Sequence, residues 1–425
     1  MASVIKDLEQ RGILHSVTDR TGLEKEFNSG PVTFYCGFDP TADSLHVGSL
    51  LPLIIMRRLA QAGHKPIAIL GGGTGMIGDP SGRSQERNLL NEAQLSFNLD
   101  CIRPQAAKIV GESCQLISNL DWLSKLSMIE FLRDVGKHFS VNAMLQRDSV
   151  KTRLETRDDG ISYTEFSYML LQAYDFLWLY ENKNCLLQIG GSDQWGNIVS
   201  GADLIRRKFP DQAAAYGMTN NLLMTSSGAK FGKTAAGAVW LDPEKTSPYE
   251  FYQYWLNTED ADVEKYLKYF TFLSLEEIAS VISEHTLAPE KRSAQKKLAS
   301  ELTTLVHSQT ELEKAEGATS ALFSGDLKSL SLSALEEAFA SAPAKVIEPS
   351  AIVPTGILIP DLLVFLGASK SKGDARRLID GGGCQLNGDK IESAARMVTG
   401  DDLLHGCLLI VRTGKKNYFL GRKAT

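Results

Sequence analysis

Apolar positions in the first half of the chain gather into short strand-like runs separated by stretches of helical spacing. Pro31 to Phe38 reads as a buried strand closed by Gly30 and Asp39-Pro40, and Leu50 to Ala62 repeats apolar residues with helical period. Lys65 to Leu70 reads as a second strand and is followed by Gly71-Gly72-Gly73. Strand, helix, strand and glycine turn in this order predict a parallel α/β unit. Met1 to Glu24 reads as helix, and Gln94 to about Lys151 as mostly helix with turn residues. Cys185 to Ile189 predicts another strand, Gly190-Gly191 a turn, and Gln194 to Lys208 a helix. A last strand is expected at Leu222 to Thr225, before a loop from Ser226 to Thr234. Pro248 to Ala321 reads as continuous helix, and the Ser-, Ala- and Pro-rich stretch from Ser324 to Pro354 as a connector. A compact unit begins near Ile357. It carries amphipathic segments at Pro360 to Leu366 and Lys372 to Asp380, and short strands at Cys384 to Leu386 and Leu408 to Arg412.

At 425 residues the chain exceeds one ordinary domain. Apolar residues at 43% and charged residues at 23% are those of a soluble globular protein. The net charge of -6 excludes a chain that is basic throughout, but it is unevenly spread. Asp361 to Thr425 holds 11 Lys and Arg against 7 Asp and Glu, so the tail carries +4 and the rest -10. A basic tail on an acidic body suits a local contact with a polyanion, although a solvated surface has the same composition. Cys36, Cys101, Cys114, Cys185, Cys384 and Cys407 form no CxxC, and His405 near Cys407 lacks a second ligand pair. Neither a disulfide framework nor a metal site is expected, which suits a reducing, cytoplasmic setting. Met1 to Glu24 has acids and no apolar core of a signal peptide, and runs such as Leu50 to Met56 are too short to span a membrane.

Two segments carry candidate chemistry. Asp39-Pro40-Thr41-Ala42-Asp43-Ser44-Leu45-His46-Val47-Gly48-Ser49 follows a strand and opens a helix, where glycine admits a ligand to the backbone and the helix start favours phosphate. Lys230-Phe231-Gly232-Lys233-Thr234 places two lysines around a glycine, which suits a loop closing on a polyphosphate. Singly, the first also fits a capping histidine and the second a solvated basic loop. In this order, across a parallel α/β unit, the pair resembles the two signatures of class I aminoacyl-tRNA synthetases. The form Lys-Phe-Gly-Lys-Thr resembles the bacterial tyrosyl branch. The likeness extends through Tyr35 to His46, Gly78-Asp79-Pro80-Ser81-Gly82, Phe131 to Asn142 and Gln188 to Asn197, nearly the whole chain.

The resemblance implies an α/β fold in four parts. Residues 1–235 would form a Rossmann-like parallel-sheet catalytic domain with a helical dimerisation insertion, and 236–323 an α-helical anticodon-arm domain. Residues 324–356 would be a linker, and 357–425 a small α+β S4-like RNA-binding domain. Tyr168, Gln172 and Asp175 lie on one helical face by their spacing, a face that either points to solvent or, if buried, needs partners for its polar groups. By resemblance Tyr35 and Asp175 bond a phenol OH, while Tyr168, Gln172 and Asp79 hold an ammonium group with Gln194 near the carboxylate. Cys36, Gly37, Asp39, Gly48, Ser49, Gly191 and Asp193 resemble ATP contacts. Thr41 and His46 resemble donors to its γ-phosphate, Lys230, Lys233 and Thr234 the closing loop, and Arg83 and Arg87 a second basic reach to pyrophosphate. Ser49 departs from the family's usual second histidine; its hydroxyl keeps one donor and never a charge. Lys370, Lys372, Arg376, Arg377, Lys415 and Lys416 would meet RNA phosphates.

The implied activity is tyrosine--tRNA ligation: ATP with Mg2+ activates L-tyrosine, tRNA(Tyr) accepts it, and the enzyme is a homodimer. No prosthetic group, metal cage or membrane partner is expected. An adenylating enzyme without tRNA would not need the last 65 or so residues, and Tyr35 with Asp175 favours a phenol over the indole of a tryptophan enzyme. A non-catalytic RNA-binding protein on the same scaffold is the reading from another class. It should have lost the lysine loop or the pocket's polar groups, and this chain keeps both.

Overall fold

The computed structural model describes residues 3–81, 91–147, 150–151, 154–155, 160–210, 214–226, 231–234, 237–339, 342–352, 356–414 and 417–424, with Glu92, Lys233, Thr234 and Phe323 by backbone only. By contacts the chain divides into two compact units, Met1–Thr246 with Trp255–Val306, and Ser247–Tyr254 with His307–Thr425.

The first unit is built on a six-stranded sheet of β1 (Leu14–Val17), β2 (Thr33–Phe38), β3 (Lys65–Leu70), β4 (Gln115–Ser118), β5 (Cys185–Gly191) and β6 (Tyr216–Asn220) in the order β1-β6-β5-β2-β3-β4. All pairs are parallel except β1 with β6. From β2 the chain winds outward to β3 and β4. It then returns to the other side of β2 as β5 and continues to β6. The carboxyl ends of β2 and β5 therefore flank the point where winding reverses, and open α/β sheets hold their ligands there.

Three expectations fail locally. The 1–24 segment is not one helix: Val4–Gln10 is helical, but Gly12 at φ 74 turns the chain into β1. A strand, β4, interrupts the stretch expected to be helical after Gln94. The last strand of the sheet is 216–220, not 222–225. Tyr-Gly-Met-Thr-Asn lacks a strand-like apolar run, yet all five residues are buried, in a strand with a neighbour on each side and with Ile198 of the 195–208 helix packed onto Gly217.

The helical region also divides, into Pro248–Leu256, Asp260–Phe270, Leu275–Leu287, Ser293–Val306 and Gln309–Ser324. Local capping sets these breaks: Ser274 and Glu277 form a reciprocal capping box, and Ser308 accepts from Glu311 N.

In the second unit β9 (Ala344–Ile347), β11 (Cys384–Leu386), β12 (Asp389–Lys390), β14 (Leu408–Thr413) and β15 (Asn417–Lys423) form a sheet in the order β12-β11-β14-β15-β9. β10 (Ile357–Leu358) and β13 (Met397–Val398) make a separate pair. Helices Ile359–Leu366 and Lys372–Asp380 contribute Leu362, Leu363, Leu366, Ala375 and Ile379 to a core shared with Cys384, Leu409 and Val411. The 324–356 stretch is no free connector. Helix Leu332–Ala338 buries Leu335, and β9 adds a parallel edge to β15. An edge strand needs only one inward face, here Ile347, so its composition stays polar.

Candidate active site

The 163–183 helix supplies the floor of the crevice. Ser162 caps it by accepting from Glu165 N, and Asn184 ends it in the left-handed conformation. Its inward face buries Tyr168 and Asp175 and half-buries Gln172, the three residues that spacing places together. The Asp175 carboxylate accepts from Asn119 Nδ2 at 2.9 Å and from Trp122 Nε1 at 2.7 Å. Asn119 is held in turn, accepting from Gly73 N at 2.7 Å and donating to Thr74 Oγ1 at 2.9 Å. Burial raises the Asp175 pKa to about 7 against these two hydrogen bonds, with the charge of Asp39 adding to the rise.

Tyr35, on β2, is buried beside Phe176, and its hydroxyl has no hydrogen-bond partner among the described residues. Burial, then the nearby Asp175, push its pKa well up, so the phenol stays protonated as a donor. An unpaired buried hydroxyl next to a carboxylate is costly unless a ligand completes it.

Asp79 accepts from Ser81 N at 2.9 Å and from Gln194 Nε2 at 2.7 Å. Asn197 Nδ2 reaches Gln172 Oε1 at 3.1 Å, Gln194 Oε1 at 3.2 Å and Ser81 Oγ at 3.3 Å. Gln172 Nε2 lies 3.3 Å from Gln194 Oε1. Asp79, Gln172 and Gln194 thus form one network tied down by Asn197. At the β5 end a Cβ on Gly191 would lie 2.4 Å from Asp193 Oδ1, so a larger residue there would have to displace the Asp193 carboxylate. The exposed Leu222 stands within 3.5 Å of the same point.

On the β2 side, Cys36 is buried, and burial pushes its thiol up to about 12, so it acts as a neutral group. Gly37 is exposed and faces open space. Thr41 is exposed, with its N–H bonded to Asp39 O at 2.9 Å. The exposed His46 caps the Val47–Gln61 helix: its Nδ1 accepts from Gly48 N at 2.9 Å, which leaves Nε2 to carry the N–H. A Cβ on Gly48 would collide with that ring at 2.6 Å. Ser49 follows half-buried on the first helical turn, its N–H on His46 O at 2.8 Å.

The second signature meets the first here. Gly232, at φ 82, would drive a Cβ to 2.9 Å from Val47 Cγ2, so its backbone lies against the start of the 47–61 helix. Phe231 packs among Trp255, Tyr266 and Phe270 with ring centroids 5.2 to 5.8 Å away. Lys233 and Thr234 form β7 and pair with β8 (Gly237–Ala238). Lys230, Arg83 and Arg87 lie outside the described residues.

In the second unit Lys370, Lys372, Arg376 and Arg377 are all exposed around the 372–380 helix. Lys372 is ion-paired with Asp361 at 2.5 Å and Arg377 with Asp374. Lys415 and Lys416 lie outside the described residues. No group of three or more His, Cys, Asp or Glu side chains is placed to hold a metal among the described residues. Asn119, Trp122, Asn197 and Leu222 enter the site without having been singled out from sequence. Of these only Asn197 sits inside a motif block.

Residues 28–324 match the family model for tRNA synthetases class I (W and Y), the class to which the reversed sheet and the apposed loops point. Residues 335–421 match that of the tyrosine--tRNA ligase SYY-like C-terminal domain. The chain belongs to the tyrosine--tRNA ligase family. It is 50% identical to tyrosine--tRNA ligase 1 of Bacillus cereus over 99% of both chains. It is 49% identical to tyrosine--tRNA ligase of Geobacillus stearothermophilus over 99% of this chain and 100% of that one. A C-terminally truncated mitochondrial tyrosyl-tRNA synthetase of Coccidioides posadasii superposes with a TM-score of 0.67 at 36% identity, over 75% of this chain and 92% of that one.

Proposed function

We infer that this crevice binds L-tyrosine with its phenol inward and ATP along the β2 and β5 ends. A tyrosine carboxylate oxygen attacks the α-phosphorus, the bond to pyrophosphate breaks, and tyrosyl-adenylate forms. The 3′-terminal ribose hydroxyl of tRNA(Tyr) then attacks the adenylate carbonyl, and AMP leaves with the bonding pair. A carboxylate is already a nucleophile at neutral pH, so the first step needs positioning and charge stabilisation rather than a base.

The observation that carries this reading is the unpaired Tyr35 hydroxyl beside Asp175. A substrate phenol donates to Asp175 and accepts from Tyr35, satisfying both. A site built to hydrogen-bond an OH rejects the analogue lacking it, a rule for which tyrosyl enzymes of this family are the standard example. Tyr168, Gln172 and Asp79 hold the ammonium group, and Gln194 the carboxylate end. Cys36, Gly37, Asp39, Gly48, Ser49, Gly191 and Asp193 border the nucleotide. Thr41, His46, Lys230, Lys233 and Thr234 serve its phosphates, with Arg83 and Arg87 reaching the pyrophosphate. Mg2+ arrives with ATP: Thr41 and His46 are hydrogen-bond donors, and the phosphates themselves supply the hard oxygens it prefers.

The exposed apolar side chains Met128, Ile129, Leu132, Val141 and Tyr163 suit burial against a second copy, which supports a homodimer. Lys370, Lys372, Arg376 and Arg377, with Lys415 and Lys416, would engage tRNA phosphates. No helix of the described residues is long and apolar enough to cross a membrane, and cytoplasmic function is our proposal.

The test is amino-acid-dependent exchange of labelled pyrophosphate into ATP with tyrosine, phenylalanine and tryptophan. Exchange with tyrosine alone is expected; none with any of the three would favour the RNA-binding reading.

A further inference from the structure

The segment after β8 runs antiparallel along the first signature. Val47 N donates to Val239 O at 3.0 Å, His46 and Trp240 form a bridge, and Leu241 N donates to Leu45 O at 2.8 Å. Asp242 N donates to Ser44 Oγ at 3.2 Å, and Lys245 pairs with Asp43 at 2.6 Å. Three side chains then stack in sequence. The half-buried Trp240 ring meets the His46 imidazole edge-on, with centroids 6.2 Å apart and planes at 62°. The Lys245 ammonium sits 5.3 Å from the centroid of the same indole.

We propose that Trp240 is a positioning residue for His46 in tyrosine activation, held in place by the Asp43–Lys245 pair. This rests on the phosphate role given to His46 above. His46 is exposed, and an exposed imidazole would sample several rotamers. Its Nδ1 bond to Gly48 N fixes one nitrogen, but rotation about the side-chain bonds still breaks that bond unless a neighbour blocks it. Among the described residues the Trp240 indole is such a neighbour, because edge-to-face aromatic contacts at this spacing are directional. The ammonium over the indole adds a cation–π attraction that holds the ring in turn. Nε2–H is thereby aimed before ATP arrives, and the gain appears only in the transition state for pyrophosphate departure. Trp240 itself touches no substrate in this reading.

The test is a double-mutant cycle on the full-length enzyme, with single-turnover formation of tyrosyl-adenylate as readout. Trp240→Leu should slow activation roughly tenfold and leave the KM for tyrosine unchanged, while Trp240→Phe, which keeps an edge, should stay within about twofold. In a His46→Ala background Trp240→Leu should cost less than about twofold, because its effect acts through the missing ring. An equal loss in both backgrounds, or a loss shared with tyrosine affinity, would overturn the proposal while leaving the role of His46 standing. If His46→Ala alone left the rate intact, the phosphate role of His46 would fall and take this proposal with it. Should Trp240→Leu not fold, Lys245→Met serves the same cycle. It is expected to cost about threefold only where His46 is present, and the same loss without His46 would overturn the proposal.

Discussion

The two ends of the crevice are built on opposite plans. At the tyrosine end the groups are buried or half-buried, and all but the Tyr35 hydroxyl are already held: Asp175 by Asn119 and Trp122, and Asp79 by Gln194, with Gln172 and Gln194 held by Asn197. At the phosphate end Thr41 and His46 are exposed, and the contacts around them are mainly backbone and ring packing. A buried end selects, because a wrong side chain strands polar groups that water cannot reach. An exposed end catalyses, because its donors meet charge that develops only during reaction. Substitutions at the first should therefore damage tyrosine recognition and stability together, and those at the second should damage rate alone.

The sharpest way to break this contrast is Asp175→Ala. It strands Trp122 Nε1 and Asn119 Nδ2 and removes the acceptor for the substrate phenol, and should lower kcat/KM for tyrosine by about 10³-fold, roughly 4 kcal/mol, with a measurable fall in Tm. A loss confined to kcat would contradict the plan. The pH dependence sharpens the same point. The folded pKa of Asp175, about 7, lies above the unfolded value of 3.8. The unliganded protein therefore keeps this contribution to stability below pH of about 4 and loses it as pH rises through about 7. Tyrosine binding runs the other way, since a phenol donates best to the ionised carboxylate. Tyrosine affinity measured by titration should strengthen from pH 6 to pH 8, and Asp175→Asn should flatten that slope.

At the phosphate end His46→Ala should slow adenylate formation by about 10²-fold with tyrosine binding intact in an equilibrium titration. Gly232→Ala must place a Cβ 2.9 Å from Val47 Cγ2 at a φ of 82. It should slow the same step about tenfold through backbone displacement. The smallest effect belongs to the second unit. Arg376→Gln should weaken tRNA binding a few-fold and reduce its salt dependence by about one phosphate contact, with pyrophosphate exchange unchanged.

The two ends also differed in how far sequence revealed them. Tyr168, Gln172 and Asp175 share one helix, so their spacing alone placed them on a common face. Asn119 and Trp122 lie more than fifty residues from Asp175 and meet it only once β4 joins the sheet, and that strand was read as helix. Its four residues, Gln-Leu-Ile-Ser, are too few to show a period. The signature segments were legible because each is contiguous. Their contact through Gly232 and Val47, and the strap that lays Trp240 against His46, are tertiary and left no local pattern. In the second unit Ser, Ala and Pro disguised 324–356 as a connector, because β9 at a sheet edge needs little hydrophobicity beyond Ile347.

The antiparallel pairing of β1 with β6 places one further demand on the chain. Leu14 finds its partner Asn220 only after about 200 more residues have been made. At 5–20 residues per second, β1 waits roughly 10 to 40 s beside a growing chain before it can pair. During that interval it is an open edge in a crowded cell. Four residues with a histidine and a serine among them give a passing strand little to extend, so the brevity of β1 serves synthesis as well as the finished sheet.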